Sequence, residues 1–118
     1  MCMLQFYSCR YTYTYFTHII LILVYIGRVF SIEELHRISQ ILDRHPHVIC
    51  VCDEVYEHIV FSTKGHNRLA SLPGMYERVI TVSSAGKTFS VTGWKVGWAI
   101  GSKKLIDPIL TGQFTSVY

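Results

Sequence analysis

The chain has 118 residues, of which half are hydrophobic and 16% are charged, and its formal net charge is +3. This composition indicates one modest globular domain and excludes a disordered chain. The positive charge is small and contains no run of like charges, so it does not indicate a nucleic-acid-binding protein.

Residues 1–26 form an apolar leader of unusual composition. Residues 11–15 alternate tyrosine with threonine, as a strand would, and residues 16–26 are nearly all apolar. The uncharged stretch 11–27 falls just short of the ~20 residues that cross a bilayer as a helix. A membrane anchor, a buried strand and an artefact of gene assignment are all open interpretations. The tyrosine and β-branched content suits a strand. We favour the last two interpretations over the membrane anchor.

Residues 27–118 show the ordinary signals of helices and strands. Ser31 and Glu34 have the spacing of a capping box, which predicts the start of a helix. Pro46 predicts that this helix ends near Arg44 or His45. One face of the predicted helix carries Leu35, Ile38, Ile41 and Leu42.

Two short apolar runs, residues 48–51 and 79–82, indicate buried strands of a parallel sheet. The first run leads to Asp53 and the second to Ser84 and Lys87. In α/β folds ligands lie at the C-terminal ends of such strands. Residues 98–100 predict a third strand, and Asp107 with Pro108 predicts the N-cap and first position of a last helix. Helices that alternate with short apolar strands predict an α/β layer architecture.

The four cysteines do not have the spacing of a zinc finger or a disulfide framework, which indicates a reducing compartment. A metal site formed by His45, His47, Cys50 and Cys52 is the less favoured interpretation, because the run lacks ordinary zinc spacing. We predict buried thiols and no bound metal.

Three chemistries could use Lys87. Gly86-Lys87-Thr88 matches the tail of a nucleotide phosphate loop, but Thr81, inside a strand, stands where that loop needs its first glycine. Ser84 and Lys87 also have the spacing of an acylating Ser-x-x-Lys pair, but the two motifs that accompany such a pair are missing. The third chemistry is a lysine Schiff base with pyridoxal phosphate.

Pyridoxal phosphate requires an amine for its aldehyde, an acid for its pyridine nitrogen and cations or hydroxyls for its phosphate. The predicted strand ends supply all of these groups, in Lys87, Asp53, Ser84 and Lys95. We therefore expect a pyridoxal-phosphate site at these strand ends.

Three segments, residues 53–57, 72–78 and 84–98, closely resemble the class I/II aminotransferases of fold type I. Within that family, the sequence of these segments most resembles the kynurenine–oxoglutarate transaminase branch, whose members also act as cysteine-S-conjugate β-lyases. The resemblance covers about residues 27–118 and implies part of the large domain, with a mostly parallel sheet and flanking helices. It also implies a homodimer, amino acid and α-keto acid substrates, and a cytoplasmic or mitochondrial enzyme that binds neither nucleic acid nor membrane.

The resemblance implies a role for each candidate site residue. Lys87 is the Schiff-base lysine, and Asp53 is the partner of the pyridine nitrogen. Tyr56 bonds the phenolate oxygen of the cofactor, while Ser84 and Lys95 hold the phosphate. Lys95 stands where many relatives carry arginine, so a point charge replaces a two-pronged donor.

The sequence also departs from that family. An asparagine-containing segment should precede Arg28, but the apolar residues 19–26 stand in its place. The upstream half, the small domain and the arginine that binds the substrate carboxylate are not found. The resemblance therefore implies an internal fragment of a transaminase. The alternative is a catalytically incompetent remnant of such an enzyme.

Overall fold

The computed structural model describes residues 5–7, 18–23, 29–61, 63 and 65–116. The helices within these ranges are α1 (Ile32–Arg44), α2 (Ala85–Thr88) and α3 (Lys103–Ser116). The strands are β1 (Gln5–Tyr7), β2 (His18–Leu23), β3 (Val48–Asp53), β4 (Val79–Ser84) and β5 (Gly97–Ile100). Two short 3-10 turns, Leu69–Ser71 and Thr92–Trp94, lie in the connections.

The strands form one mixed sheet in the order β1-β2-β3-β4-β5. The central pairings, β2 with β3 and β3 with β4, are parallel, and β1 and β5 each pair antiparallel at an edge. Parallel neighbours need a crossover connection, and α1 supplies it between β2 and β3. The α/β fold is thus confirmed.

Part of the apolar leader lies in this sheet, because β2 pairs with β3 along its whole length, from His18 opposite Val48 to Leu23 opposite Asp53. The tyrosine-threonine alternation at residues 11–15 lies outside the described residues. Within the described part of the chain, no helix is long and apolar enough to cross a bilayer.

Helix α1 begins after Ser31 and ends at Arg44, as the capping box and Pro46 predict. Ser31 Oγ accepts a hydrogen bond from the Glu34 amide at 3.2 Å, and the Glu34 carboxylate accepts one from the Ser31 amide at 2.9 Å. These two bonds complete the predicted capping box. At the other end the guanidinium of Arg78 donates to the carbonyls of Leu42 and Val48, which ties the helix to the following strand.

Ser31→Ala should lower the free energy of unfolding by about 1 kcal/mol, because the amide at the third helical position loses its acceptor. Urea denaturation of the 118-residue chain measures this loss. Ser71→Ala is the matched control, since Ser71 is exposed and outside any long helix. Equal losses in the two variants would contradict a specific capping role.

The core lies between α1, β3 and the segment before β4. It contains Phe30, Leu35, Leu42, Val48, Cys50, Cys52, Leu69, Leu72, Met75 and Val79. Cys50 and Cys52 are both free and buried, as predicted, with their sulfurs 3.8 Å apart. The contact with Cys50, together with burial, raises the pKa of the Cys52 thiol far above its ordinary value, so this thiol stays protonated. In the described ranges no three His, Cys, Asp or Glu side chains form a metal-binding group.

The predicted start of the last helix was wrong. Helix α3 begins at Lys103 rather than after Asp107, and Pro108 lies inside it. The amides of Leu105 and Ile106 already bond the Ser102 carbonyl. The first turn is further stabilised by the buried Leu105 and by an ion pair of 2.7 Å between Lys103 and Asp107. These contacts offset the backbone bond that proline cannot make.

Candidate active site

The parallel register of β3 and β4 separates a site face from a core face. Asp53 lies opposite Val82, and Ser84 follows two residues later on the same face as Val82. These residues are half-buried, whereas Cys52 and Glu54, which alternate with Asp53, are buried. The sheet therefore presents Asp53 and Ser84 on one side and packs its core on the other.

The chain after β4 folds back tightly around Lys87. Ser84 precedes the four-residue helix α2, which contains Lys87, and the Ala85 amide donates to the Val96 carbonyl at 3.0 Å. A side chain at Gly86 would meet the Thr92 Cα at 3.1 Å. Glycine thus permits the close approach that brings residues 92–97 beside the helix.

A cleft of about 310 Å³ opens between these segments. Ser84, Lys87 and Lys95 all line it, so three of the predicted site residues share one space. The remaining lining residues are Gly86, Thr92, Val96 and Gly97. The volume lies at the lower end of the range for small-molecule sites.

Two exposed lysines make this cleft electropositive. Lys95 has a left-handed backbone conformation, with φ 55° and ψ 31°, which non-glycine residues adopt at an energetic cost. This conformation follows the 3-10 turn Thr92–Trp94 and lets Lys95 line the same cleft as Lys87. Two ammonium groups and the Ser84 hydroxyl can bind an anionic group such as a phosphate.

Tyr56 contacts Lys87 from the turn that follows β3. The Lys87 amine lies 5.7 Å from the centre of the Tyr56 ring, which is a cation–π distance. Asp53 is not among the residues that line the cleft, and its Oδ1 accepts a hydrogen bond from the Val55 amide at 3.2 Å. The structure thus brings Tyr56, Ser84, Lys87 and Lys95 together and places Asp53 at the adjoining strand end.

A charged cluster behind the site was not predicted from the sequence. Glu54 is only 2% exposed, and its carboxylate lies 3.1 Å from Arg68 Nε and 3.2 Å from His66 Nε2. Arg68 also forms an ion pair with Glu57. The strand alternation could have shown that Glu54 turns away from Asp53 into the core. No spacing rule indicates that Arg68 is its partner.

Known proteins are similar to this chain in sequence and in fold. Residues 26–112 match the family described as aminotransferase class I and II. The chain is 52% identical over 93 residues to kynurenine–oxoglutarate transaminase 3 of Rattus norvegicus, covering 79% of this chain and 20% of that protein. It is also 52% identical over 85 residues to the Dictyostelium discoideum kynurenine–oxoglutarate transaminase, covering 71% of this chain and 20% of the relative.

Solved structures give the same result. The aromatic aminotransferase of Pyrococcus horikoshii superposes with a TM-score of 0.77 at 32% identity, covering 84% of this chain and 27% of that one. The N-succinyldiaminopimelate aminotransferase of Mycobacterium tuberculosis gives 0.69 at 41% identity, covering 75% and 24%. The chain spans about a fifth of the length of the curated relatives above. With 87 consecutive positions matched, it belongs to the aminotransferase class I and II family.

Proposed function

We propose that this chain forms the pyridoxal 5′-phosphate site of a transaminase that moves an amino group from an amino acid to an α-keto acid. The observation that carries the proposal is the convergence of Ser84, Lys87 and Lys95 on one cleft, with the Tyr56 ring beside the Lys87 amine. Membership of the aminotransferase family supports the same cofactor.

The residues of the cleft fit this cofactor chemically. The cofactor is anionic, and the cleft holds two lysines and a hydroxyl within about 310 Å³. A side chain at Gly97 would lie 3.1 Å from the Ser83 carbonyl oxygen, so glycine keeps the cleft wall close to the backbone. In the proposed arrangement Ser84 and Lys95 bind the phosphate, and Lys87 supplies the amine for the aldehyde.

Asp53 and Tyr56 orient the aromatic part of the cofactor. The bond from the Val55 amide holds one Asp53 oxygen. The ionised carboxylate would accept a hydrogen bond from the protonated pyridine nitrogen and so keep that nitrogen protonated. The Tyr56 hydroxyl donates to the phenolate oxygen. When bound, the cofactor supplies an acceptor for the electron pair left at the substrate α-carbon. The Lys87 amine would take up a proton from that carbon as a general base and return it as a general acid.

The preferred substrate in this proposal is kynurenine, because the curated relatives above are named kynurenine–oxoglutarate transaminases. A β-lyase activity on cysteine S-conjugates, a homodimer and a cytoplasmic or mitochondrial location belong to the same proposal. We further propose that residues 27–118 are part of the aminotransferase large domain and that residues 1–26 are an atypical leader, of which β2 adds a strand to the same sheet. The family match, which begins at residue 26, supports this boundary.

Reductive labelling tests the proposed site. The 118-residue chain is incubated with substoichiometric pyridoxal 5′-phosphate, treated with borohydride, digested and mapped by mass spectrometry. We expect the pyridoxyl label on Lys87 in preference to Lys103 and Lys104, which are also exposed but do not line the cleft. Lys87→Arg should lose that label, whereas Lys103→Ala should keep it. Equal labelling of all three lysines would overturn the proposed site.

An activity assay separates the proposal from the alternative of a catalytically incompetent chain. Labelling of Lys87 and amino-group transfer are measured on the same preparation. The substrates for the transfer assay are kynurenine and 2-oxoglutarate. Transfer that disappears in Lys87→Arg supports the transaminase. A chain that takes the label at Lys87 and transfers no amino group supports the alternative.

A further inference from the structure

An ionic cluster of the buried Glu54 and the half-exposed Arg68 lies beside the turn that carries Tyr56. The Glu54 amide donates to the Val82 carbonyl at 3.0 Å and thus extends the pairing of β3 with β4 by one residue. The Glu54 side chain is buried on the core face, beside Arg68 and His66. A buried carboxylate is costly unless it is paired, so these contacts fix its position.

Arg68 contacts both ends of the turn formed by residues 54–57. Its Nε lies 3.1 Å from Glu54, and its Nη2 bonds Glu57. Within the turn the Glu57 amide donates to the Glu54 carbonyl at 2.9 Å, and just after it the Ile59 amide donates to the Tyr56 carbonyl at 2.9 Å. The planar guanidinium can make both contacts at once, whereas a single ammonium on a flexible stem is not shaped to do so.

The backbone of Arg68 is itself fixed to the core. Arg68 precedes the 3-10 turn Leu69–Ser71, and its carbonyl accepts from the Ser71 amide at 3.2 Å. Leu69 is 2% exposed and belongs to the core cluster. The preceding residue, Asn67, donates to the Phe30 carbonyl at 2.9 Å, next to the start of α1. The backbone of Arg68 is therefore held between two segments that contact the core, and its side chain reaches the turn from there.

We infer that Arg68 is a positioning residue that holds the 54–57 turn so that the Tyr56 ring stays beside the Lys87 amine. The inference deepens the proposed function and rests on it for its catalytic meaning. Arg68 does not line the cleft, so it acts on the site only through the turn. Its role differs from that of Lys104, whose ion pair with Glu77 lies on an exposed surface.

Hydrogen exchange on the chain without cofactor tests the mechanical part of the inference. In Arg68→Lys, which can keep only one of the two contacts, the amides of Glu57 and Ile59 should exchange about two- to fivefold faster, the effect expected from losing one half-exposed ion pair. Arg68→Gln loses both contacts and should raise these rates at least as much. Glu57→Gln breaks only the outer contact and should raise the same rates while leaving Glu54 paired. Lys104→Gln is the matched control and should change neither amide. Unchanged rates in all three variants of the cluster would overturn the inference.

A double-mutant cycle tests whether Arg68 acts through Tyr56. The rate of borohydride-trapped labelling of Lys87 at limiting cofactor is measured with and without Arg68→Gln. We expect a decrease of about two- to fivefold when Tyr56 is present and no further decrease in a Tyr56→Ala background. Equal decreases in the two backgrounds would show a general effect on the fold and overturn the inference.

The two experiments separate this inference from the proposed function. If the unsubstituted chain takes no label at Lys87, the proposed function fails. The exchange rates of the Glu57 and Ile59 amides then decide alone whether Arg68 holds the turn. If the chain is labelled and those amides are unaffected in Arg68→Gln, Arg68→Lys and Glu57→Gln, the proposed function stands and the positioning role is wrong.

Discussion

Lys95→Ala should weaken binding of pyridoxal 5′-phosphate to the chain by about tenfold. A charge-assisted contact with a phosphate contributes about 1.5–3 kcal/mol. Lys95 is exposed in the cleft, so we expect the lower end of that range, and 1.4 kcal/mol corresponds to a factor of ten. Equilibrium dialysis with the 118-residue chain measures the dissociation constant.

Two further variants make the test of Lys95 specific. Lys95→Arg keeps the charge and adds donors, so it should bind the cofactor about as tightly as the unsubstituted chain. Lys103→Ala removes an exposed cation that does not line the cleft and should also have little effect. If Lys103→Ala weakens binding and Lys95→Ala does not, the phosphate lies elsewhere.

Leu42→Ala should lower the free energy of unfolding by about 2–5 kcal/mol. Leu42 is 1% exposed and lies on α1 in the core cluster that includes β3. Its carbonyl accepts from the His45 amide and from Arg78. Alanine keeps those backbone contacts and removes only the packed side chain. Because domains of this size are stable by only about 5–15 kcal/mol, the loss is a large fraction of the total.

The neighbouring Ile41 provides the control for this core substitution. It is 45% exposed on the same helix, so Ile41→Ala removes a similar apolar volume with much less burial. Urea denaturation should show a midpoint shift for Leu42→Ala that is clearly larger than the shift for Ile41→Ala, with similar slopes. Similar shifts would mean that α1 does not pack on the sheet as described.

The sequence by itself was sufficient to predict α1 and the core strands β3 and β4. The capping box joins Ser31 and Glu34, only three residues apart, and an apolar run directly reports a buried strand. β3 and β4 each extend two residues beyond the predicted apolar runs, to Asp53 and Ser84, because backbone pairing continues where the side chains become polar. The same strand ends allowed Ser84 and Lys87 to be selected as site residues before their positions were known.

Only the tertiary structure decided the features that depend on distant partners. The direction of β5 is set by its pairing of Gly97 with Ser84, since a four-residue apolar strand can pair either way. The start of α3 at Lys103 depends on the burial of Leu105, which outweighs the local signal of Pro108. Contacts between distant parts of the chain determine the direction of β5 and the start of α3, and no local pattern of the sequence predicts those contacts.

The contact between Arg68 and Glu54 is the clearest feature that local sequence patterns do not predict, because it joins residues 14 positions apart across an irregular connection. The sequence determined the chemistry at the strand ends, since amines, carboxyls and hydroxyls keep their properties wherever the chain places them. The tertiary structure determined which of those groups meet, because it alone fixes the register of β3 against β4 and the return of residues 92–97 to Lys87.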